Sequence, residues 1–242
     1  MNVTGSAVVS RLGVIGDVHA EDHRLAAAIK DLQQRGVDAI VCTGDIVDGE
    51  GCPDRCIELL VDANVQTVRG NHDRWILEDK ARHIPNAHFI DDREDHSRSY
   101  LSTLPTQICV PTVRGNLMLC HGIEDDDLRK IWPGTEGMGI ERSKRLDRLI
   151  HDDTYRFVIN GHMHFRTLIH FQQLTLINAG TLKGEHWPGY SLIDFHSGHI
   201  DAFGFHGTDI IPIKSRMLDQ DSDVIWKDTQ DFSGGWEPVK LF

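Results

Sequence analysis

Short clusters of carboxylate, amide and imidazole side chains recur in one order along the chain. The clusters are Asp17-Val18-His19, Gly44-Asp45-Ile46-Val47-Asp48, Gly70-Asn71-His72-Asp73, His121-Gly122 and Gly161-His162-Met163-His164. These donor types bind borderline divalent ions such as Mn²⁺, Fe²⁺, Zn²⁺ and Co²⁺. Together they offer ligands for two adjacent metal ions and leave one histidine, His72, to handle a proton. This combination is typical of hydrolases that act on phosphate esters.

Each cluster alone is a weak signal, because the chain contains 15 histidines. Asp17, which follows a strand, could be a helix-capping residue and nothing more. The segment from Asp45 to Gly49 could be only a turn, residues 71–73 a capping segment, and residues 162–164 an exposed loop. The metal interpretation is favoured because all the clusters occur together and three of them follow consecutive predicted strands.

The elements that must position these residues alternate between strand and helix in the first seventy residues. The pattern predicts strands over Ala7–Ile15, Val37–Thr43 and Val65–Val68 and helices over Glu21–Arg35 and Pro53–Ala63. Such alternation predicts right-handed crossovers and a largely parallel sheet. Because ligands bind outside the carboxyl ends of such strands, Asp17, Asp45 and Asn71 should converge at one edge of the sheet.

The second half of the chain contains short β-type runs at close spacing, which predict a second, mostly antiparallel sheet packed on the first. The runs are 117–120, 157–159, 167–170, 175–177 and 190–195, with a hairpin at Gln172-Gln173. Between them lies a polar insert, residues 124–153, with a helix predicted from Ile140 to Ile150. We expect one domain over residues 1–242, ending in a C-terminal arm from about residue 207 that could be an oligomer contact.

Composition narrows the class of protein. With 242 residues and 40% apolar residues, the chain is long enough for a sizeable core. It has no apolar run near the roughly 18–20 residues that cross a bilayer, and its start lacks a secretion signal. Five cysteines without a paired CxxC spacing favour reduced thiols over a zinc or redox site. These features predict a cytoplasmic protein with no membrane partner.

A formal net charge of −12 argues against tight binding to a long nucleic acid. It does not exclude phosphate substrates, because two bound divalent cations would reverse the local sign of the charge. A small-molecule substrate is therefore favoured, and a homo-oligomer is compatible with the sequence.

In the order and spacing of its clusters the chain resembles the calcineurin-like metallophosphoesterase superfamily. That signature runs Asp-x-His, Gly-Asp-x-x-Asp, Gly-Asn-His-Asp/Glu, His and Gly-His-x-His, and every element is present between residues 12 and 195. The resemblance implies an α/β fold, a four-layer αββα sandwich of two mixed β-sheets flanked by helices. It also implies that a dinuclear metal centre lies at the ends of both sheets.

The resemblance also assigns roles to residues. It implies one metal at Asp17, His19 and His164 and a second at Asn71, His121 and His162, with Asp45 bridging both. Mn²⁺ is the first choice, with Fe, Zn, Co or Ni as alternatives. A hydroxide between the metals would attack phosphorus while His72, as general acid, protonates the leaving oxygen. Asp48 would orient His72, with Asp73 as an alternative partner.

Departures from the family pattern bear on the substrate. Gly49 stands where Ser/Thr protein phosphatases of the superfamily carry a phosphate-binding Arg, which favours a phosphodiesterase or phosphatase acting on a small molecule. The alternatives are a nuclease, a cyclic-nucleotide phosphodiesterase and a non-catalytic scaffold that resembles the retromer subunit. Lys183, His186 and Trp187 could line the pocket or be ordinary surface residues.

Overall fold

The computed structural model describes residues 8–207, 209–219 and 224–240. In this part of the chain the helices are α1 (Asp22–Gln34), α2 (Pro53–Asp62), α3 (Asn71–Leu77), α4 (Asp95–Thr103) and α5 (Lys144–His151). The strands are β1 (Arg11–Ile15), β2 (Ala39–Cys42), β3 (Gln66–Thr67), β4 (Gln107–Thr112), β5 (Gly115–Cys120), β6 (Phe157–Asn160), β7 (Arg166–His170), β8 (Thr175–Ala179), β9 (Gly189–Asp194), β10 (His199–His206), β11 (Asp209–Met217) and β12 (Val239–Lys240).

The strands form two six-stranded sheets, and both are mixed. The first has the order β11-β10-β9-β1-β2-β3, with β1, β2 and β3 parallel and the other pairs antiparallel. The second has the order β12-β7-β8-β6-β5-β4, in which β6 runs parallel to both β5 and β8. The parallel strands occupy the centre of the second sheet, so their carboxyl ends lie at one edge.

The alternation of side chains along the strands produces four layers. Leu12 and Val14 of β1 pack against Leu117 and Leu119 of β5 in a core between the two sheets. Ile15 of β1 faces a separate core that the first sheet forms with α1 to α4. The opposite face of the second sheet packs against α5, the preceding insert and the C-terminal segment. This arrangement confirms the predicted αββα sandwich.

The prediction for β9 was wrong in one respect. This strand was expected in the second sheet, but it pairs antiparallel with β1 in the first sheet, with Gly13 opposite Leu192. The physical reason is that alternating apolar residues identify the two faces of a strand but carry no information about its hydrogen-bonded neighbour. The second sheet is mixed, with three antiparallel pairs and two parallel pairs, so the prediction that most of its pairs are antiparallel is confirmed.

Several other segments differ from the sequence expectations. Residues 71–73 were considered as a capping segment, and they begin the short helix α3. Helix α5 begins at Lys144, four residues later than predicted, with the Ser143 hydroxyl accepting a hydrogen bond from the Leu146 amide. The hairpin at Gln172-Gln173 is present between β7 and β8. No helix within the described ranges is long and apolar enough to cross a bilayer.

The region predicted as a C-terminal arm contributes to both sheets. Strand β11 extends the edge of the first sheet beside β10, and β12 pairs with β7 in the second sheet. Between them, Trp226 and Trp236 are buried in the outer core of the second sheet together with Trp132 of the insert. The insert and this segment therefore form much of the fourth layer.

Candidate metal centre

The seven predicted metal ligands come together at the carboxyl ends of the central strands. Loops after the first sheet's β1, β2 and β3 and after the second sheet's β5 and β6 supply them. Three overlapping groups have ligand atoms within 4.8 Å of one another: Asp17, His19 and His164; His19, Asp45 and His72; and Asp45, His121 and His162. The side chains that were expected to gather from distant parts of the chain therefore do so.

The first half of the centre is built around His19 and His164. Their Nε2 atoms lie 3.1 Å apart, and the His164 Nε2 is 3.4 Å from Asp17 Oδ2. Asp45 Oδ2 lies 3.9 Å from the His19 Nε2. Two imidazole nitrogens and two carboxylates thus face one small volume.

The second half is built around the side-chain oxygen of Asn71. This Oδ1 lies 2.9 Å from both His121 Nε2 and His162 Nδ1. Asp45 Oδ2 is 3.3 Å from His121 Nε2, so this single carboxylate contacts both halves.

In three of these histidines, the Nδ1 atom points away from the cluster and contacts another group. That contact bears on whether the Nε2 atom can bind a metal ion. His121 Nδ1 donates to the Thr43 carbonyl at 2.8 Å, and His19 Nδ1 donates to the Asp48 carbonyl at 3.0 Å. His164 Nδ1 lies 2.6 Å from His186 Nδ1. Because a carbonyl oxygen can only accept, the neutral rings of His19 and His121 present bare Nε2 lone pairs to the cluster.

A cluster of converging acceptor atoms needs a cation between them. A neutral His121 would direct a bare Nε2 at an amide oxygen and a carboxylate oxygen, a contact that is repulsive unless a proton or a metal ion lies between them. The donor set combines carboxylate, amide oxygen and neutral imidazole, which suits borderline divalent ions. These residues therefore fit metal binding on the chemistry of the site itself.

The titration behaviour of the histidines agrees with this fit. Burial lowers the pKa of His19 and of His162 to about 4 and that of His164 to about 3, which keeps the rings in the neutral form that binds metals. Burial opposes a charge on His121 as well, but the adjacent Asp45 and Asp17 carboxylates outweigh it and raise the pKa of His121 to about 10. The site thus attracts positive charge.

The carboxylates are held by hydrogen bonds that leave oxygens directed at the cluster. The Thr43 hydroxyl and the His162 amide donate to the two oxygens of Asp17, each at 2.8 Å. The His72 amide donates to Asp45 Oδ1 at 2.8 Å, which leaves Oδ2 facing His19 and His121. Burial raises the pKa of Asp17 to about 7, whereas the surrounding histidines overcome burial and hold the pKa of Asp45 well below its usual range.

The glycines of the motifs allow the backbone to approach the ligands closely. A Cβ atom at Gly161 would lie 2.1 Å from Asp17 Oδ1, and one at Gly70 would lie 2.1 Å from Asp45 Oδ1. Asp45 and His162 themselves adopt positive φ angles of 46° and 64°, a region that non-glycine residues rarely occupy. Such strained conformations concentrate at functional sites.

His72 lies beside this cluster and is paired with Asp48. Its Nδ1 is 2.7 Å from Asp48 Oδ2, so its Nε2 is the nitrogen that remains for another partner. Burial opposes the charged imidazole, but the hydrogen bond to Asp48 and the charge of Asp45 outweigh burial and raise the pKa of His72. Asp73, the alternative partner, instead accepts the Ile46 and Gly70 amides at 2.8 and 3.0 Å.

Residues 11–198 match the calcineurin-like phosphoesterase superfamily domain. The chain belongs to the calcineurin-like phosphoesterase superfamily. The resemblance inferred from the sequence motifs is thereby confirmed.

Individual relatives of this superfamily are distant or match over a short segment. The uncharacterized protein MJ0912 of Methanocaldococcus jannaschii is 41% identical over 70 residues, which is 29% of this chain and 29% of that protein. A metallophosphoesterase from Sphaerobacter thermophilus has a TM-score of 0.58 at 19% identity and covers 87% of this chain and 90% of its own. The likeness to this solved structure shows the fold.

Other structural neighbours are proteins of different kinds. A novel archaeal phosphodiesterase has a TM-score of 0.52 at 18% identity, covering 81% of this chain and 99% of its own. Vacuolar protein sorting 29 from Cryptosporidium parvum also has a TM-score of 0.52, at 15% identity, covering 87% of this chain and 100% of its own. The fold alone therefore does not separate an enzyme from a sorting protein, and the side chains of the site must decide.

Three residues at this superfamily site were missed by the sequence analysis or left undecided. Arg82 contacts both oxygens of Asp48, and the His88 amide donates to Asp48 Oδ1 at 2.9 Å. His186, which was left between a pocket and a surface role, contacts His164. Arg82 and His88 lie in an irregular stretch between α3 and α4, where no motif or periodicity marked them.

Proposed function

We propose that the protein is a dinuclear-metal-dependent hydrolase of small-molecule phosphate esters, with Mn²⁺ as the first choice of metal. The observation that carries this proposal is the convergence of seven ligand side chains into two groups that share Asp45, beside a His72–Asp48 pair. Membership of the superfamily supports the reaction class. A cytoplasmic location remains a prediction from composition.

The chain's residues divide into two sets by what they would do. Asp17, His19 and His164 would hold one ion and Asn71, His121 and His162 the other, with Asp45 contacting both. When bound, two such ions supply Lewis acidity that lowers the pKa of water and neutralises charge on a phosphoryl group. The Thr43 and Asp48 carbonyls keep the histidine rings in the ligand tautomer.

His72 would act on the leaving group. Its Nδ1–H is committed to Asp48, so only Nε2 can reach a substrate, and a protonated ring would donate from that atom to the departing ester oxygen. The side chain is 20% exposed, which allows contact with a bound ester while the ring is held in place. Asp48 has 1% side-chain exposure and serves as the orienting partner rather than as a group that touches substrate.

The non-catalytic scaffold is the principal rival from a different class. A scaffold requires neither a complete ligand set nor a histidine whose ring is oriented by a buried carboxylate. Both features are present here, and both involve strained or desolvated groups that cost stability. A nuclease is disfavoured by the net charge of −12.

One panel of assays tests the proposal. Mn²⁺-loaded protein is incubated with p-nitrophenyl phosphate, bis-p-nitrophenyl phosphate, cyclic AMP and single-stranded DNA, with Asp45→Asn as the matched control. We expect Mn²⁺-dependent hydrolysis of at least one of the small esters and none by the variant. Metal binding without turnover of any substrate would favour the scaffold and contradict the proposal, and turnover of DNA alone would favour the nuclease.

A further inference from the structure

Two cavities meet at the ligand cluster. One, of about 340 Å³, is lined by His19, Asp48, Lys183 and neighbouring residues; we call it the acid-side cavity. The other, of about 370 Å³, is lined by His162, Met163, His164, Phe165, Glu185, His186 and Trp187; we call it the aromatic cavity. His19 lines the first and His164 the second, and their Nε2 atoms are only 3.1 Å apart. A group bound at the cluster therefore has space on two sides.

This arrangement matches a phosphodiester better than a monoester. A diester carries two alcohol groups, one that leaves and one that is retained. His19 lines the acid-side cavity, and the His72 ring lies edge-on to the His19 ring with 4.9 Å between their centroids, so the leaving alcohol is placed on this side. The retained alcohol would then occupy the aromatic cavity. A monoester would use only one of the two.

The chemistry of the aromatic cavity defines its ligand. Trp187 is 62% exposed, and its ring lies 6.5 Å from that of Phe165 with an interplanar angle of 32°. Trp187 also has a φ of +51°, an uncommon conformation for a bulky residue. A large aromatic ring held at the edge of the ligand cluster provides a stacking surface for a planar group such as a base.

The charges of this cavity disfavour a second phosphate as the ligand. Among the described residues that line it, none is Lys or Arg, and Glu185 is acidic. A nucleic-acid strand would place its next phosphate near this carboxylate. A neutral planar group would instead meet no repulsion.

We propose that the aromatic cavity binds the retained group of a phosphodiester and that this group is a planar aromatic ring, such as a single nucleobase, stacked on Trp187. The inference rests on the proposed hydrolase function and specifies its substrate. It makes Trp187 a specificity-determining residue.

The test uses two diesters that share one leaving group. Thymidine 5′-(p-nitrophenyl phosphate) and methyl p-nitrophenyl phosphate both release p-nitrophenolate, so they differ only in the retained group. We expect Trp187→Ala to reduce the ratio of kcat/KM for the thymidine ester over the methyl ester about tenfold, as loss of one stacking contact implies. Trp187→Phe should retain most of the ratio, and Val113→Ala, at an exposed position outside both cavities, should leave it unchanged.

A binding measurement separates this inference from the hydrolase proposal. Zn²⁺-loaded protein is titrated with thymidine 5′-phosphate while tryptophan fluorescence is recorded, and we expect quenching in the wild type that Trp187→Phe removes. Quenching without turnover of either ester would overturn the hydrolase function and leave the aromatic cavity standing. Turnover with an unchanged ratio in Trp187→Ala, and no quenching, would overturn the aromatic cavity alone. Absence of both signals would overturn both.

Discussion

Arg82 binds Asp48 through two parallel contacts, with the Nη1 and Nη2 atoms each 2.9 Å from a different carboxylate oxygen. Both side chains are buried, at 8% and 1% exposure. The same Asp48 contacts the His72 ring at 2.7 Å, so a chain of three residues runs from the interior to the imidazole. Such a bidentate pair fixes the orientation of a carboxylate as well as its charge.

Replacing Arg82 should therefore impair catalysis without affecting metal binding. Lysine offers a point charge that cannot bind both oxygens, so Arg82→Lys should lower kcat roughly tenfold while KM and metal content stay unchanged. Added guanidinium should partly restore kcat in Arg82→Ala. Steady-state kinetics and metal analysis check this expectation. Equal activity of Arg82→Lys and wild type would show that Asp48 does not need the guanidinium.

The pairing of His72 with Asp48 predicts a shift in the pH profile. The negative charges around His72 raise its pKa despite burial, and an imidazole donates a proton only while charged, so kcat should fall as pH rises through this pKa. Asp48→Asn removes one negative charge and lowers the pKa of His72. The alkaline limb of kcat should therefore move to lower pH. If the alkaline limb did not move, it would reflect the titration of a group other than His72.

The role of His72 as general acid predicts how the rate of hydrolysis depends on the leaving group of the ester. His72→Ala should slow hydrolysis of an alkyl ester about 10²–10⁴-fold, because an alkoxide needs a proton to depart. The same variant should slow a p-nitrophenyl ester much less, since p-nitrophenolate leaves unprotonated. Metal content, measured alongside, should equal that of wild type. If the alkyl ester were turned over normally, His72 would not be the acid.

Gly161 should be intolerant of even one methyl group. The Cβ of Gly161→Ala would lie 2.1 Å from Asp17 Oδ1 and 2.6 Å from the Thr43 hydroxyl, so the Asp17 carboxylate must move. We expect loss of metal affinity by at least about tenfold, the scale seen when groups that orient metal ligands are disturbed. Gly137→Ala, where a Cβ would meet nothing within 4 Å, is the matched control. If both variants bound Mn²⁺ with equal affinity, the close approach of Gly161 to Asp17 would not be a requirement for metal binding.

The convergence of the candidate metal ligands could be predicted from the sequence because each motif follows a strand. Asp17, Asp45 and Asn71 end three consecutive parallel strands, and the carboxyl ends of such strands must meet. His121 and His162 follow β5 and β6, which are parallel to each other in the second sheet. The packing of a second sheet on the first was predicted from the short β-type runs, but the position of the site at the ends of both sheets was inferred from the family resemblance.

Other features could not be predicted because they depend on the path of the chain in three dimensions. Arg82 reaches Asp48 across 34 positions in sequence from an irregular segment. His186 reaches His164 from the loop that crosses between the two sheets before β9. The sheet that β9 joins is likewise set by this crossing and not by its own alternation of side chains. In each case the contact follows from tertiary packing alone.

The central claim is that two cations share Asp45. Its most direct test is a crystal structure of Mn²⁺-loaded protein with anomalous scattering measured at the manganese edge. We expect two peaks, one beside Asp17, His19 and His164 and the other beside Asn71, His121 and His162, with the Asp45 carboxylate contacting both. A single peak, or a peak bound by the His72 ring, would contradict it.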